Sequence, residues 1–167
     1  MSADWAEVYR TTYQDLVRYL YRKVWDADRA QDLAQEVFVR ALDRTPENAR
    51  AFLFTIAANL ARDEARSAIR RRKHLTLVKA EAETEVEDDP VERMEREEKA
   101  AVARKALEEL SERDQEVLLL WDAGLSYTEI AERTGLAVGA IGTTLSRARR
   151  RLASAYEEME DRNVARG

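Results

Sequence analysis

The sequence predicts an all-α protein of two small helical domains joined by a flexible acidic linker, the second domain containing a helix-turn-helix. Three observations lead there. Apolar residues recur at three and four positions, and no segment alternates with period two. Breakers are rare, with 5 Gly and 2 Pro in 167 residues, so long helices can run. Composition changes sharply between Lys79 and Asp89, where KAEAETEVEDD has little to bury and reads as a mobile spacer. The expected division is 1–75, a linker over 76–95, and 96–167.

The first helix follows from Tyr9, Tyr13, Val17, Leu20 and Val24, which share one face between Val8 and Val24. Asp26 can cap a second helix that runs to about Leu42 over an inner face of Ala30, Leu33, Ala34, Val37, Phe38 and Ala41. Asp43 to Arg50 contains Thr45-Pro46 and reads as a loop. A third helix starts near Ala49, carries Phe52, Ile56 and Leu60 on a seam, and runs into Arg70, Arg71 and Arg72. After the spacer, Val91 to Leu110 is a charged amphipathic helix. Ser-Glu-Arg-Asp from Ser111 nearly matches a capping box, Val117, Leu118, Leu120 and Trp121 are apolar, and Gly124 stops that helix. Ser126-Tyr-Thr-Glu129 is a full capping box for a short helix with Ile130 and Ala131. The turn Gly135-Leu136-Ala137 then leads into a last helix with Val138, Ile141, Leu145, Ala148 and Leu152 expected inward.

Composition narrows the function. Hydrophobic residues at 45% suit helices with one buried face and exceed what wholesale disorder allows. Cysteine is absent, which removes disulfides and cysteine zinc sites and fits a reducing cytoplasm. The single histidine, His74, cannot build a histidine-based metal or nucleophile site, and no Gly-rich phosphate loop is present. No catalytic, cofactor or metal site is therefore expected, and the chain reads as a non-enzyme. No apolar run approaches the ~20 residues that cross a bilayer, so no membrane insertion is expected. The net charge of −5 opposes nucleic-acid binding on average, but binding depends on local patches, and the signs are segregated.

Two helices joined by a tight Gly-containing turn, Leu125 to Leu152, have the form of a helix-turn-helix. Ala131 is small where the helices must cross. On the solvent side of the second helix lie Ala140, Gly142, Thr143, Ser146, Arg147 and Arg150: small and hydroxyl groups that can approach base edges, then arginines that can reach phosphates. Arg62, Arg66 and Arg70, spaced by four, stack a basic stripe on the third helix that Arg71, Arg72 and Lys73 extend. Asp28, Asp32 and Glu36 make an acidic stripe on the second helix beside Gln35, with Phe38 and Val39 expected to be exposed or semi-exposed. Solvated helix faces are the plainer reading of both stripes.

DLAQEVFVRAL (Asp32 to Leu42), FLFTIAANLARDEAR (Phe52 to Arg66) and LSYTEIAERTGLAVGAIGTTLSRARRRL (Leu125 to Leu152), in this order, resemble sigma factors of the extracytoplasmic-function (ECF) group. The likeness runs from about Val8 to Tyr156. It implies that Asp32, Gln35, Glu36 and Phe38 dock on the clamp helices of the polymerase β′ subunit. It implies that the loop Asp43 to Arg50, with Asn48 and Arg50, reads a flipped-out minus-ten base, and that Asn59, Arg62 and Arg66 hold the melted strand. It implies minus-thirty-five recognition by the last helix through Ala140, Gly142, Thr143, Ser146, Arg147 and Arg150, joined by Tyr127 of the preceding helix. Core RNA polymerase (with its β flap), promoter DNA and an anti-sigma protein are the implied partners, and the linker is implied to thread near the RNA exit path. The chain departs from the family's usual pattern at Phe52 (commonly Trp), Ala58 (commonly basic), Gly142 (commonly Lys or Arg) and Thr144 (commonly Arg). A plain helix-turn-helix regulator, which needs no DLAQEVF-like docking face, and an all-helical interaction protein without a DNA role are the alternatives.

Overall fold

The computed structural model describes residues 4–75 and 89–166, with side chains described over 4–66 and 89–165. Seven helices follow one another among the described residues: α1 (Trp5–Val24), α2 (Ala27–Ala41), α3 (Ala49–Leu75), α4 (Pro90–Glu108), α5 (Glu112–Asp122), α6 (Tyr127–Thr134) and α7 (Val138–Arg166). No strand occurs among them. The acidic run falls largely at 76–88, outside the described residues, and α4 already begins at Pro90, so 90–95 are helical rather than spacer.

Local chemistry sets the helix ends. Asp4, Asp26 and Asp89 cap α1, α2 and α4 by accepting a backbone N–H with the side chain, and Pro90 stands in the first turn of α4. Asn48 does the same for α3, its Oδ1 accepting from Ala51 N at 3.1 Å. Ser111 accepts from Asp114 N, whereas the box at Ser126 is reciprocal, with Glu129 reaching back to the Ser126 amide. Gly124 at φ 91° and Gly135 at φ 77° take the left-handed conformation that closes α5 and α6. Trp25 closes α1 in the same region at φ 56°, its N–H bonded to Tyr21 O, a conformation unusual for a bulky residue.

The first module packs α1, α2 and α3 around Leu16, Tyr19, Leu20, Leu33, Val37, Leu53 and Phe54. The second packs α4, α5 and α6 against α7 through Leu107, Leu110, Val117, Leu120, Ile130, Ile141, Leu145 and Ala148. Two sequence expectations are corrected. Phe38 is only 5% exposed, because it shares the inner face with Ala34, Val37 and Ala41 and its ring packs 4.8 Å from Tyr9. Val138, expected inward, is 50% exposed, because it is the first residue of α7 and stands beyond the end of the core.

A spacer between two modules suggests independent motion, yet here they touch, α1 against α5 and α3 against α6. Tyr19 donates to Glu116 Oε1 at 2.7 Å and Lys23 Nζ to Glu116 Oε2 at 2.7 Å. Arg50 Nη2 donates at 3.0 Å both to Asp15 Oδ2 and, across the junction, to Ala123 O. Arg18 adds a bond to Asp122 O at 3.4 Å. A Cβ at position 124 would come within 3.0 Å of the Arg50 guanidinium, so Gly124 also leaves room for that approach.

Candidate nucleic-acid interface and docking face

The helix-turn-helix is built from α6, the turn at Gly135 to Ala137, and the first half of α7. Ile130 and Ala131 are buried against α7, and Ala131 supplies the close crossing its size suggested. Buried Ile141, Leu145 and Ala148 fix the rotation of α7. Thr143, Ser146, Arg147 and Arg150 therefore emerge exposed, with Ala140 and Gly142 half-buried between them and Tyr127. Thr144 is buried and faces the core.

Sequence reasoning missed Asp114. It is 1% exposed and lies under α7, with Arg147 Nη2 3.1 Å from Oδ1 and Arg151 Nη1 3.6 Å from Oδ2. Arg147 thus has one guanidinium nitrogen committed to a buried carboxylate while the rest of the group stays at the surface. No local pattern points to Asp114, because its partners lie 33 and 37 residues further along the chain, on α7.

In the first module, Asp32 and Gln35 are exposed and Glu36 half-buried on α2. They are not bare charges: Arg29 stands 3.5 Å from Asp32, Arg40 2.7 Å from Glu36, and Gln35 donates to the Tyr9 hydroxyl at 3.0 Å. Arg29 also donates twice to Glu64 at 2.8 Å, tying α2 to α3, and its pKa is raised chiefly by those bonds. Phe38 supports this face from beneath, while Val39 is 67% exposed beside it.

The minus-ten candidates separate into two groups. Asn59, Arg62 and Arg66 are exposed on α3. Asn48 has its carbonyl oxygen engaged as a cap, and Arg50, in the first turn of α3 rather than in the loop, is held by Asp15 and Ala123 O. Arg62 lines a polar cleft between the modules with Lys23, Arg113, Glu116 and Arg133. The basic residues from Arg70 to Lys73, and His74, lie outside the described side chains. Burial pushes the Tyr19 phenol well above its ordinary pKa, and the neighbouring Glu116 carboxylate adds to the effect.

Among the described residues no helix is long and apolar enough to cross a membrane, and no cluster of acidic or histidine side chains could hold a metal ion.

Residues 8–73 match the family model for sigma-70 region 2, and residues 100–152 match that for sigma-70 region 4. The RNA polymerase sigma factor YlaC of Bacillus subtilis is 34% identical over 150 residues, covering 86% of this chain and 86% of its own length. The ECF sigma factor EcfG of Rhodopseudomonas palustris is 35% identical, covering 77% of this chain and 72% of its own. Among solved structures, the sigma factor RpoE of Bartonella quintana, bound to the anti-sigma factor NepR, superposes with a TM-score of 0.60 at 25% identity, over 92% of this chain and 97% of that one. CnrH, bound to the cytosolic domain of CnrY, shares the fold with a TM-score of 0.64 at 23% identity, over 92% of this chain and 88% of that one. A helix-turn-helix behind an acidic α2 face, and relatives that match across both modules, lead to one conclusion: the chain belongs to the ECF-type RNA polymerase sigma factors, non-enzymatic initiation factors that direct RNA polymerase to promoters through a region 2 and a region 4 domain.

Proposed function

We propose that the exposed face of α2, with Asp32, Gln35 and Glu36, docks on the clamp helices of the polymerase β′ subunit. Asn48 and Arg50 then receive an unstacked base of the minus-ten element, and Asn59, Arg62 and Arg66 hold the melted strand. The second module lays the start of α7 in the major groove at the minus-thirty-five element. Small groups there, Ala140, Gly142, Thr143 and Ser146, approach the bases, Tyr127 flanks them, and Arg147 and Arg150 meet phosphates. An apolar groove lined by Leu107, Leu118, Trp121, Leu152 and Tyr156 suits the β flap. Because RpoE and CnrH were each solved with a protein partner, we assign this chain an anti-sigma partner as well, and place its work in the cytoplasm.

The observation that carries this reading is the surface order of α7, from small and hydroxyl groups to arginines, on a chain whose first module shows an acidic face. Reversing Asp32 and Glu36 to Lys should weaken binding to core polymerase several-fold, since complementary charges set encounter and register. Fluorescence anisotropy with core enzyme measures it, and unchanged affinity refutes the docking face. Transcription in vitro from a promoter library tests the two DNA assignments together.

A further inference from the structure

Tyr127 and Gly142 occupy one patch of the helix-turn-helix. A Cβ added at Gly142 would sit 3.5 Å from Cε2 of Tyr127 and 3.9 Å from its hydroxyl. The ring of Tyr127 therefore lies along α7 where a side chain at 142 would emerge. The distance is ordinary van der Waals contact, so a methyl group fits beside the ring, but a longer side chain would have to share the space. Tyr127 is the first residue of α6, and the reciprocal capping box of Ser126 and Glu129 holds its backbone. The ring is 45% exposed, and its hydroxyl has no hydrogen-bond partner among the described residues.

We infer that Tyr127 replaces the missing side chain at 142 as the residue that sets sequence preference at the centre of the upstream element. The inference rests on the proposed placement of α7 in the groove. A phenol differs from a lysine or arginine in what it can do there. It offers one neutral donor and a flat apolar face, and it fixes only two side-chain torsions on binding. Its hydroxyl donates to a DNA acceptor beside α7, and its ring covers the helix backbone at Gly142. Being uncharged, it releases no counterion, so its contribution does not change with salt as a phosphate-binding arginine's does. Gly142 is the permissive half of the pair, because a long side chain there would compete with the ring for the same space.

The test uses the full chain assembled with core polymerase, titrated against a promoter library randomised in the upstream element at several salt concentrations. Tyr127→Phe should weaken the best-bound sequences roughly two- to tenfold, the range of one hydrogen bond, and flatten preference at one or two adjacent base pairs while the salt slope stays as in wild type. Gly142→Ala should melt higher, since alanine is favoured over glycine inside a helix and a methyl group fits beside the ring. Gly142→Lys should displace the ring, shift the preferred sequence, steepen the salt slope and make Tyr127→Phe silent in the double variant. Wild-type preference in Tyr127→Phe, or effects of Tyr127→Phe and Gly142→Lys that simply multiply, would overturn the inference. Arg150→Ala separates the two levels. If it weakens binding while Tyr127→Phe does nothing, only the role of Tyr127 fails. If neither variant nor the upstream sequence matters, the placement of α7 fails and the inference falls with it.

Discussion

Asp114 shows how one buried charge changes the meaning of an arginine at the surface. Its carboxylate has almost no access to water and is compensated by Arg147 and Arg151, one helical turn apart on α7. Arg147→Ala removes the shorter of the two ion pairs and should destabilise the protein by about 1–3 kcal/mol in urea unfolding, because Arg151 remains to screen the carboxylate. Arg150→Ala should leave the unfolding midpoint where it is. A loss of DNA binding in Arg147→Ala therefore mixes stability with contact, and Arg150 is the cleaner probe of phosphate binding. Equal midpoints for the two variants would show that Asp114 does not need Arg147. Tyr19 gives a pH signature. Its folded pKa is raised above the ordinary 10.0, chiefly by burial, so folding favours the protonated phenol. The stability it lends is complete below pH 10.0 and is lost as pH rises towards the folded value. The melting-temperature advantage of wild type over Tyr19→Phe should shrink on alkalinisation, and tyrosinate absorbance should show the last-titrating phenol missing from the variant. A pH-independent advantage would refute this.

Helix ends decide how precisely the reading helix is aimed. A reciprocal capping box opens α6, the shortest of the seven described helices at 8 residues. So short a helix has little intrinsic stability and depends on its caps and on packing. Ser126→Ala should cost about 0.5–2 kcal/mol and loosen α6 against α7, which hydrogen exchange of the α6 amides would register. Unaltered exchange would mean that burial of Ile130 suffices. This element was legible in the sequence because S-x-x-E and Gly135 are local signals, as were Asp26 and Gly124. Other features were not. Ser111 to Asp114 reads as a cap, but the Asp114 side chain turns under α7, a partnership across 33 residues that no local pattern reports. Asn48 and Arg50 read as bare loop donors, yet one caps α3 and the other bonds α5's end. Phe38 was assigned to both an inner face and a docking face, and the helical period places its ring on the inner face.

At the scale of the whole chain, the junction between the modules governs what each can reach. Promoter elements named minus-ten and minus-thirty-five lie about 25 base pairs apart, roughly 85 Å at 3.4 Å per step. If each module reads its proposed element, α1 and α5 part when both elements are bound. Glu116 is the hub, accepting a hydrogen bond from Tyr19 and pairing with Lys23, which lie 97 and 93 residues away in sequence. Glu116→Ala should shift the opening equilibrium by about 1.5–3 kcal/mol, roughly ten- to hundredfold, since the lost bonds are charge-assisted. A fluorophore pair placed across the modules should report a longer mean distance, and core polymerase should bind more tightly in proportion to the closed fraction removed. Unchanged distance and affinity would show that apolar contact alone holds the modules together.

Because both sides of that junction belong to one polypeptide, its strength is set by local concentration as much as by its bonds. A tethered partner stands before its surface at an effective concentration far above that of a freely diffusing protein. A protein that seeks only the Arg50 side, or only the Glu116 side, competes with a neighbour that never diffuses away. One that grips both modules together faces no such rival and gains from their proximity. Such a ligand would recognise the joined pair as a single epitope, and its affinity should fall, rather than rise, when Glu116 is removed.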